Sequence, residues 1–256
     1  MGIVVERLSH RFESLAVLSD VSFDVGDNEI FAIVGPSGCG KSTLLSIIGG
    51  LIDPTQGSVQ VGGLSPDSLN PITFVFQDFA LLPWRSVADN IRLPLEHRGL
   101  ARAEMEALVA DALHRTGLTD FADAYPKQLS GGMRQRVGIA RTLAVKPSIL
   151  LMDEPLSALD GQTREILMED LSGLLASSRL SAVYVTHNLD EALRLANRIA
   201  VFSRRPGRLR EIIGVPIPRG ERMSPGAGAE LARLHAQLWS LIRSEAVDAE
   251  REMTHV

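Results

Sequence analysis

Cysteine is almost missing from this chain: Cys39 is the only one in 256 residues. A single thiol excludes an internal disulfide and any zinc site built from several cysteines, and it fits a reducing compartment. Cys39 sits inside a glycine-rich stretch, where a small tolerated side chain is a simpler reading than redox control. No apolar run approaches the roughly 18 uninterrupted residues of a membrane span. The opening stretch MGIVVERLSHRF lacks the basic-then-apolar order of a secretory leader. Any membrane role is therefore expected to be borrowed from a partner. Lysine is scarce as well, with only Lys41, Lys127 and Lys146, a bias that points to genome composition rather than chemistry. A net charge of −5 argues against a broad basic surface, so no nucleic-acid partner is expected.

What is present is apolar. At 45% hydrophobic residues the chain can bury a sizeable core. Short apolar runs read as strands at Ile3–Val5, Val21–Val25, Ile30–Val34, Ser58–Val61, Thr73–Phe76, Ile149–Met152, Ala182–Thr186 and Ile199–Phe202. Several are solidly apolar, as strands covered on both faces of a parallel sheet are. Helical patterns at 42–50, 163–176 and 189–196 alternate with them, which predicts an α/β core. Between 86 and 148 the strand signals vanish and helices dominate, for example over 103–117. This segment is read as an inserted helical lobe, with 1–85 and 149–256 forming the core around it. The Pro-, Gly- and Arg-rich stretch 205–228 is expected to be a surface excursion. After it, Leu231, Leu234, Leu238, Leu241 and Ile242 mark a final helix packed on the body.

The chemistry concentrates at a few places. GPSGCGKST, residues 35–43, meets the phosphate-loop pattern through Gly35, Gly40, Lys41 and Ser42, after an apolar strand and before an apolar helix. Its glycines let backbone N–H groups curl around phosphate oxygens, Lys41 neutralises terminal phosphate charge, and the Ser42 hydroxyl suits Mg²⁺. ILLMDEP, residues 149–155, is a buried strand ending in Asp153 and Glu154. Neighbouring strand residues point opposite ways, so one carboxylate is expected at a metal and the other at a water. His187 follows a buried strand, where open α/β sheets bind ligands, and Gln77 ends another. LSGGMRQR, residues 129–136, opens a second helix with a serine and two glycines, again an anion-seeking start. One small chain thus carries two phosphate sites.

In combination, the phosphate loop, Gln77, LSGGMRQR, LLMDEP, SALD at 157–160 and His187 resemble the ATP-binding subunits of ABC transporters, over nearly the whole chain. The resemblance implies a P-loop NTPase core of the RecA type, with an antiparallel β portion and an inserted helical lobe. It also explains the second phosphate site. In that family the signature helix of one subunit caps the ATP held by the phosphate loop of its partner, in a head-to-tail homodimer.

Residue by residue, the resemblance implies that Phe12 stacks on adenine with help from Val17. Gly35, Pro36, Ser37, Gly38, Cys39, Gly40, Lys41, Ser42 and Thr43 hold the phosphates. Ser42 and Gln77 ligate Mg²⁺, with Asp153 supporting the metal shell. Glu154 is the general base and His187 contacts the γ-phosphate. Ser130, Gly131, Gly132 and Asp160 act across the dimer.

A narrower likeness, in LLPWRSV and the late RPGR, is to importers of the nitrate, sulfonate and taurine group. It implies an ATPase at the cytoplasmic face of the inner membrane, bound to permease subunits and served by a periplasmic or lipid-anchored solute-binding protein. Leu156 and Ser157 depart from the Phe-Gly expected there, and Gly49-Gly50 from Ala-Gly. An exporter ATPase and a soluble, non-transport ABC ATPase are the alternatives. In DFALLPWRSV, residues 78–87, Phe79 and Leu81 are candidates for the lobe interior. Leu82 and Trp84 are expected to be part-exposed in a groove for a short permease helix.

Overall fold

In chain order, the strands of the computed structural model are β1 (Ile3–Phe12), β2 (Leu15–Val25), β3 (Ile30–Val34), β4 (Gln56–Val61), β5 (Ile72–Val75), β6 (Ile149–Asp153), β7 (Ser181–Val185), β8 (Arg198–Phe202) and β9 (Leu209–Gly214). The helices are α1 (Lys41–Ile48), α2 (Val87–Arg92), α3 (Arg102–Arg115), α4 (Gly131–Leu143), α5 (Gly161–Ser177), α6 (Leu189–Leu195) and α7 (Gly228–Met253). The structure describes residues 2–76, 80–178 and 180–253. They fall into two compact units. One takes the described residues up to Gly63, Leu151–Glu154, and those from Ser181 onward; the other takes Leu64–Leu150 and Pro155–Leu180.

In the first unit β1 pairs antiparallel with β2 and with β4, giving the sheet order β2-β1-β4. The first two strands are far longer than the apolar runs that announced them. Ile3, Val5 and Leu8 are buried while Glu6 and Arg7 face solvent. Register shifts after Val5, Leu8 and His10 then break the period of two by which a strand is read. Gly57, at φ 83°, lies so close to the carbonyls of Glu6 and Arg7 that any side chain there would strike the β1 backbone.

The second sheet of this unit runs β6-β7-β3-β8-β9. β3 lies parallel to β7 and β8, and all five of its residues are buried, as its solid apolar run predicts. β9, inside the 205–228 surface excursion where no strand is expected from sequence, pairs antiparallel on β8. Its alternation is obscured because it closes the sheet edge: Arg210 and Glu211 are exposed and only Ile213 is buried. The stripe on α7 packs as expected, with Leu234 and Leu238 buried and Trp239 left 55% exposed.

The second unit holds β5 and α2 to α5, so the helical unit is wider than 86–148. Val87 and Ile91 from α2, Val109 and Leu113 from α3, and Val137 and Ala140 from α4 form its core. α5 belongs here because Gly132 presses on it: a Cβ at Gly132 would come within 2.9 Å of Thr163 Cγ2. Among the described residues no helix is long and apolar enough to cross a membrane.

Candidate functional site

The C-terminal end of β3 runs straight into residues 35–40, and α1 starts at Lys41. The loop is pinned from three sides. Lys41, only 6% exposed, donates from Nζ to the carbonyl oxygens of Gly35 and Pro36, both at 2.9 Å. Gly40 adopts φ 101°, and a Cβ there would sit 2.9 Å from the side chains of Val17 and Leu18. A Cβ on Gly35 would sit 2.9 Å from the Phe202 carbonyl. Two glycines of the motif are therefore required by packing alone. Cys39 is buried, and burial pushes its thiol pKa up against the pull of Lys41, so it stays protonated and inert at neutral pH.

Over this loop opens a cleft of about 250 Å³. Val17 lines one part of it, Ser37, Gly38 and Ser42 the phosphate side, and Glu154 and Arg205 the remainder. Asp153, the last residue of β6, shares a hydrogen bond with the Ser42 side chain. Burial raises the Asp153 pKa, the Ser42 hydrogen bond and Lys41 oppose the rise, and the charge of Glu154 adds to it. A hydroxyl and a carboxylate brought together beside a phosphate loop are hard oxygen donors, the set that Mg²⁺ takes alongside phosphate and water.

Glu154 leaves the strand at φ 46°, in the left-handed region. Its N–H donates to the carbonyl of Val185, the last residue of β7, at 2.9 Å. Its Oε2 meets His187 Nδ1 at 2.9 Å. A carboxylate oxygen accepts, so Nδ1 donates in this bond. The structure thus brings together the phosphate loop, Asp153, Glu154 and His187.

Phe12 is 47% exposed at the tip of the β1–β2 hairpin, edge-on to His10 with ring centroids 4.6 Å apart. It is not part of the cleft lining, whereas Val17 is. Gln77 and Phe79 lie outside the described residues. In the second unit Ser130 caps α4, its Oγ accepting from Met133 N at 3.2 Å. Asp160 caps α5 in the same way, accepting from Thr163 N at 3.0 Å, which lowers its pKa. Gly131 is part-exposed at the start of α4 while Gly132 is buried. Of the two glycines, then, Gly131 faces outward and Gly132 serves the contact with α5. Leu81 packs on the helical core, Leu82 is half-buried, and Trp84 is 71% exposed. Asn90 sets this stretch: its buried side-chain amide bonds both backbone groups of Leu82 and the carbonyls of Arg85 and Ser86.

Two supporting residues escaped the sequence reading. Glu191 looks like a solvated charge in the first turn of α6, yet it is 2% exposed. Its Oε2 accepts from Tyr184 Oη and Thr186 Oγ1, each at 2.8 Å, and Thr186 Oγ1 accepts in turn from Asn188 N. Glu191 thereby fixes the backbone on both sides of His187. Glu191→Ala is expected to lower stability by about 3 kcal/mol, because two buried hydroxyls lose a charged acceptor. An unchanged denaturation midpoint would show that water replaces the carboxylate without cost. Arg222 is the other: it donates to the carbonyls of Leu193, Arg194 and Ala196 at the end of α6 and to Ile217. Burial and the charge of Arg219 push its pKa down to about 10. Only a Pro- and Gly-rich setting surrounds it in sequence, so nothing local marks it.

Comparison with known proteins gives three likenesses and a family. A family model described as "ABC transporter" matches residues 18–157. A bicarbonate transport ATP-binding protein of Synechocystis is 42% identical over 207 residues, 79% of this chain and 73% of its own. A taurine import ATP-binding protein of Rhizobium johnstonii is 40% identical over 233 residues, 89% of each chain. A solved dimeric ATP-binding cassette, in a post-hydrolysis state bound to ADP and Pi, superposes with a TM-score of 0.71 at 32% identity, covering 84% of this chain and all (100%) of that one.

Proposed function

This chain belongs to the ATP-binding subunits of ABC transporters and is an ATPase of that family; we propose that it powers the import of a small polar or anionic solute, of the nitrate, sulfonate or taurine kind. The observation that carries the catalytic reading is Glu154, which lines the cleft with Lys41 and Ser42 and is paired at 2.9 Å with His187. The import reading is supported by similarity to subunits named for taurine and for bicarbonate.

In this reading residues 35–43 hold the phosphates of ATP and Phe12 stacks on the adenine, its exposed ring being free to do so. Ser42 and Asp153, together with Gln77, would hold Mg²⁺, which supplies neutralising charge on the phosphates. Glu154 accepts a proton at a carboxylate oxygen from a water that attacks the γ-phosphorus, and the bond to the β–γ bridging oxygen breaks. His187 holds Glu154 through Nδ1, and as the imidazolium it would also donate from Nε2 to the γ-phosphate.

The working form is a homodimer in which Ser130, Gly131 and Asp160 of one subunit reach the other's nucleotide. Gly132 lets α4 and α5 come close enough to keep that edge in place. The signature lies in the helical unit, Leu64–Leu150 with Pro155–Leu180, which takes in 86–148. Permease subunits would hold the dimer at the inner face of the membrane, with a solute-binding protein delivering the cargo.

Assembly with an ABC permease of this group, co-expressed with the chain, tests the import reading. The pair should co-purify, and Trp84→Ala should weaken the complex by about 2 kcal/mol, roughly thirtyfold in affinity. Because Trp84 is 71% exposed, the variant should melt with the wild type and bind ATP equally well. If it melts markedly lower yet binds permease normally, Trp84 is a packing residue and the docking surface lies elsewhere. If no permease is bound by the wild type, the soluble reading replaces import.

A further inference from the structure

We infer that Arg205 is a second cationic contact for the phosphate tail of ATP, supplied by the turn between β8 and β9 and not by the phosphate loop. This rests on the reading of residues 35–43 as the ATP site. Arg205 lines the same cleft as Lys41, Ser42 and Glu154.

The turn that carries it is fixed against the loop. Gly207 N donates to the Val17 carbonyl at 2.8 Å, and Ser19 N to the Gly207 carbonyl at 3.0 Å. A side chain on Gly207 would collide with the Cys39 carbonyl, so the two backbones touch there. Inside the turn, Ser203 Oγ donates to the Arg204 carbonyl and accepts from Arg208 N. The Arg205 backbone is thus held in place relative to the loop, while its side chain is exposed and, among the described residues, makes no hydrogen bond or ion pair.

Charge gives the reason for such a group. Lys41 directs its three N–H donors at loop atoms, the carbonyls of Gly35 and Pro36 at 2.9 Å and Cys39 Sγ at 3.9 Å, so any phosphate must compete for them. Asp153 and Glu154 place two carboxylates at the same site, against an ATP tail that is itself strongly negative. A guanidinium supplies paired donors that match two phosphate oxygens at once.

The experiment measures binding of a fluorescent ATP analogue to the full chain, with inorganic tripolyphosphate as competitor. Arg205→Ala should raise the dissociation constants of both by about tenfold, and Arg205→Lys should recover part of the loss. Arg208→Ala, in the same turn but outside the cleft lining, should bind like the wild type. Unchanged nucleotide binding by Arg205→Ala overturns the inference, as does an equal loss in Arg208→Ala, which would assign the effect to turn geometry. Weakened ATP with unchanged tripolyphosphate places the contact on base or ribose, which also overturns it. Failure of the wild-type chain to bind ATP overturns the site reading itself, a separate outcome.

Discussion

Glu154→Gln is expected to bind ATP with wild-type affinity and to hydrolyse it about 10²- to 10⁴-fold more slowly, the usual worth of a positioned general base. The amide keeps the size and the polarity of the side chain but cannot take a proton. Three features of the structure suit Glu154 to act as that base, namely its φ of 46°, the hydrogen bond from its N–H to Val185, and the 2.9 Å pairing with His187. None of them touches the loop that holds the phosphates, which is why binding should survive. Dimers that form and dissociate in the wild type should persist through size-exclusion chromatography in the variant with ATP. Single-turnover hydrolysis and nucleotide affinity, measured with the permease present, decide the matter. Near-normal turnover would remove Glu154 as the base and leave His187 as the candidate.

The second large effect concerns the two phosphate-seeking helix starts. In a Cys39→Ala, Glu154→Gln background, Ser37→Cys and Gly131→Cys should form a disulfide between two chains, and only when ATP is present. Ser37 is exposed in the phosphate loop, and a Cβ on Gly131 meets nothing closer than 3.6 Å, so both positions accept a thiol. A disulfide needs Cα atoms within about 7 Å, so the bond reports direct apposition of loop and signature. Gly131 is a better probe than its neighbours. Ser130 caps α4 and Gly132 packs on α5, so substituting either one changes the fold locally as well as the interface. Covalent dimers on a non-reducing gel, dependent on ATP, are the expected result. Links formed without nucleotide, or found only inside one chain, would refute action across the interface.

The motifs of the proposed nucleotide site are local in sequence for a physical reason. A phosphate is bound by consecutive backbone N–H groups, so Gly35, Gly40, Lys41 and Ser42 must stand at set spacings along the chain. The same local requirement writes Ser130 and Asp160 just ahead of helices, and Asp153 and Glu154 at a strand end. The solid runs of β3, β7 and β8 were plain because both faces are buried. β9 and the outer halves of β1 and β2 were not, because wet faces and register shifts erase the pattern.

Local sequence therefore determined the buried strands, most of the helices, the glycine-rich loop and the carboxylate pair, all of which depend on neighbours within a few positions. Tertiary structure alone decided the rest. It joined Glu154 to His187 across 33 positions and buried Glu191 against two hydroxyls. It also set Gly207 against Cys39, which brings Arg205 to the phosphate cleft. An exposed and a buried charge are written with the same letter. Which of the two a residue becomes depends on the surfaces that distant segments lay over it, and that is settled only when the chain has folded.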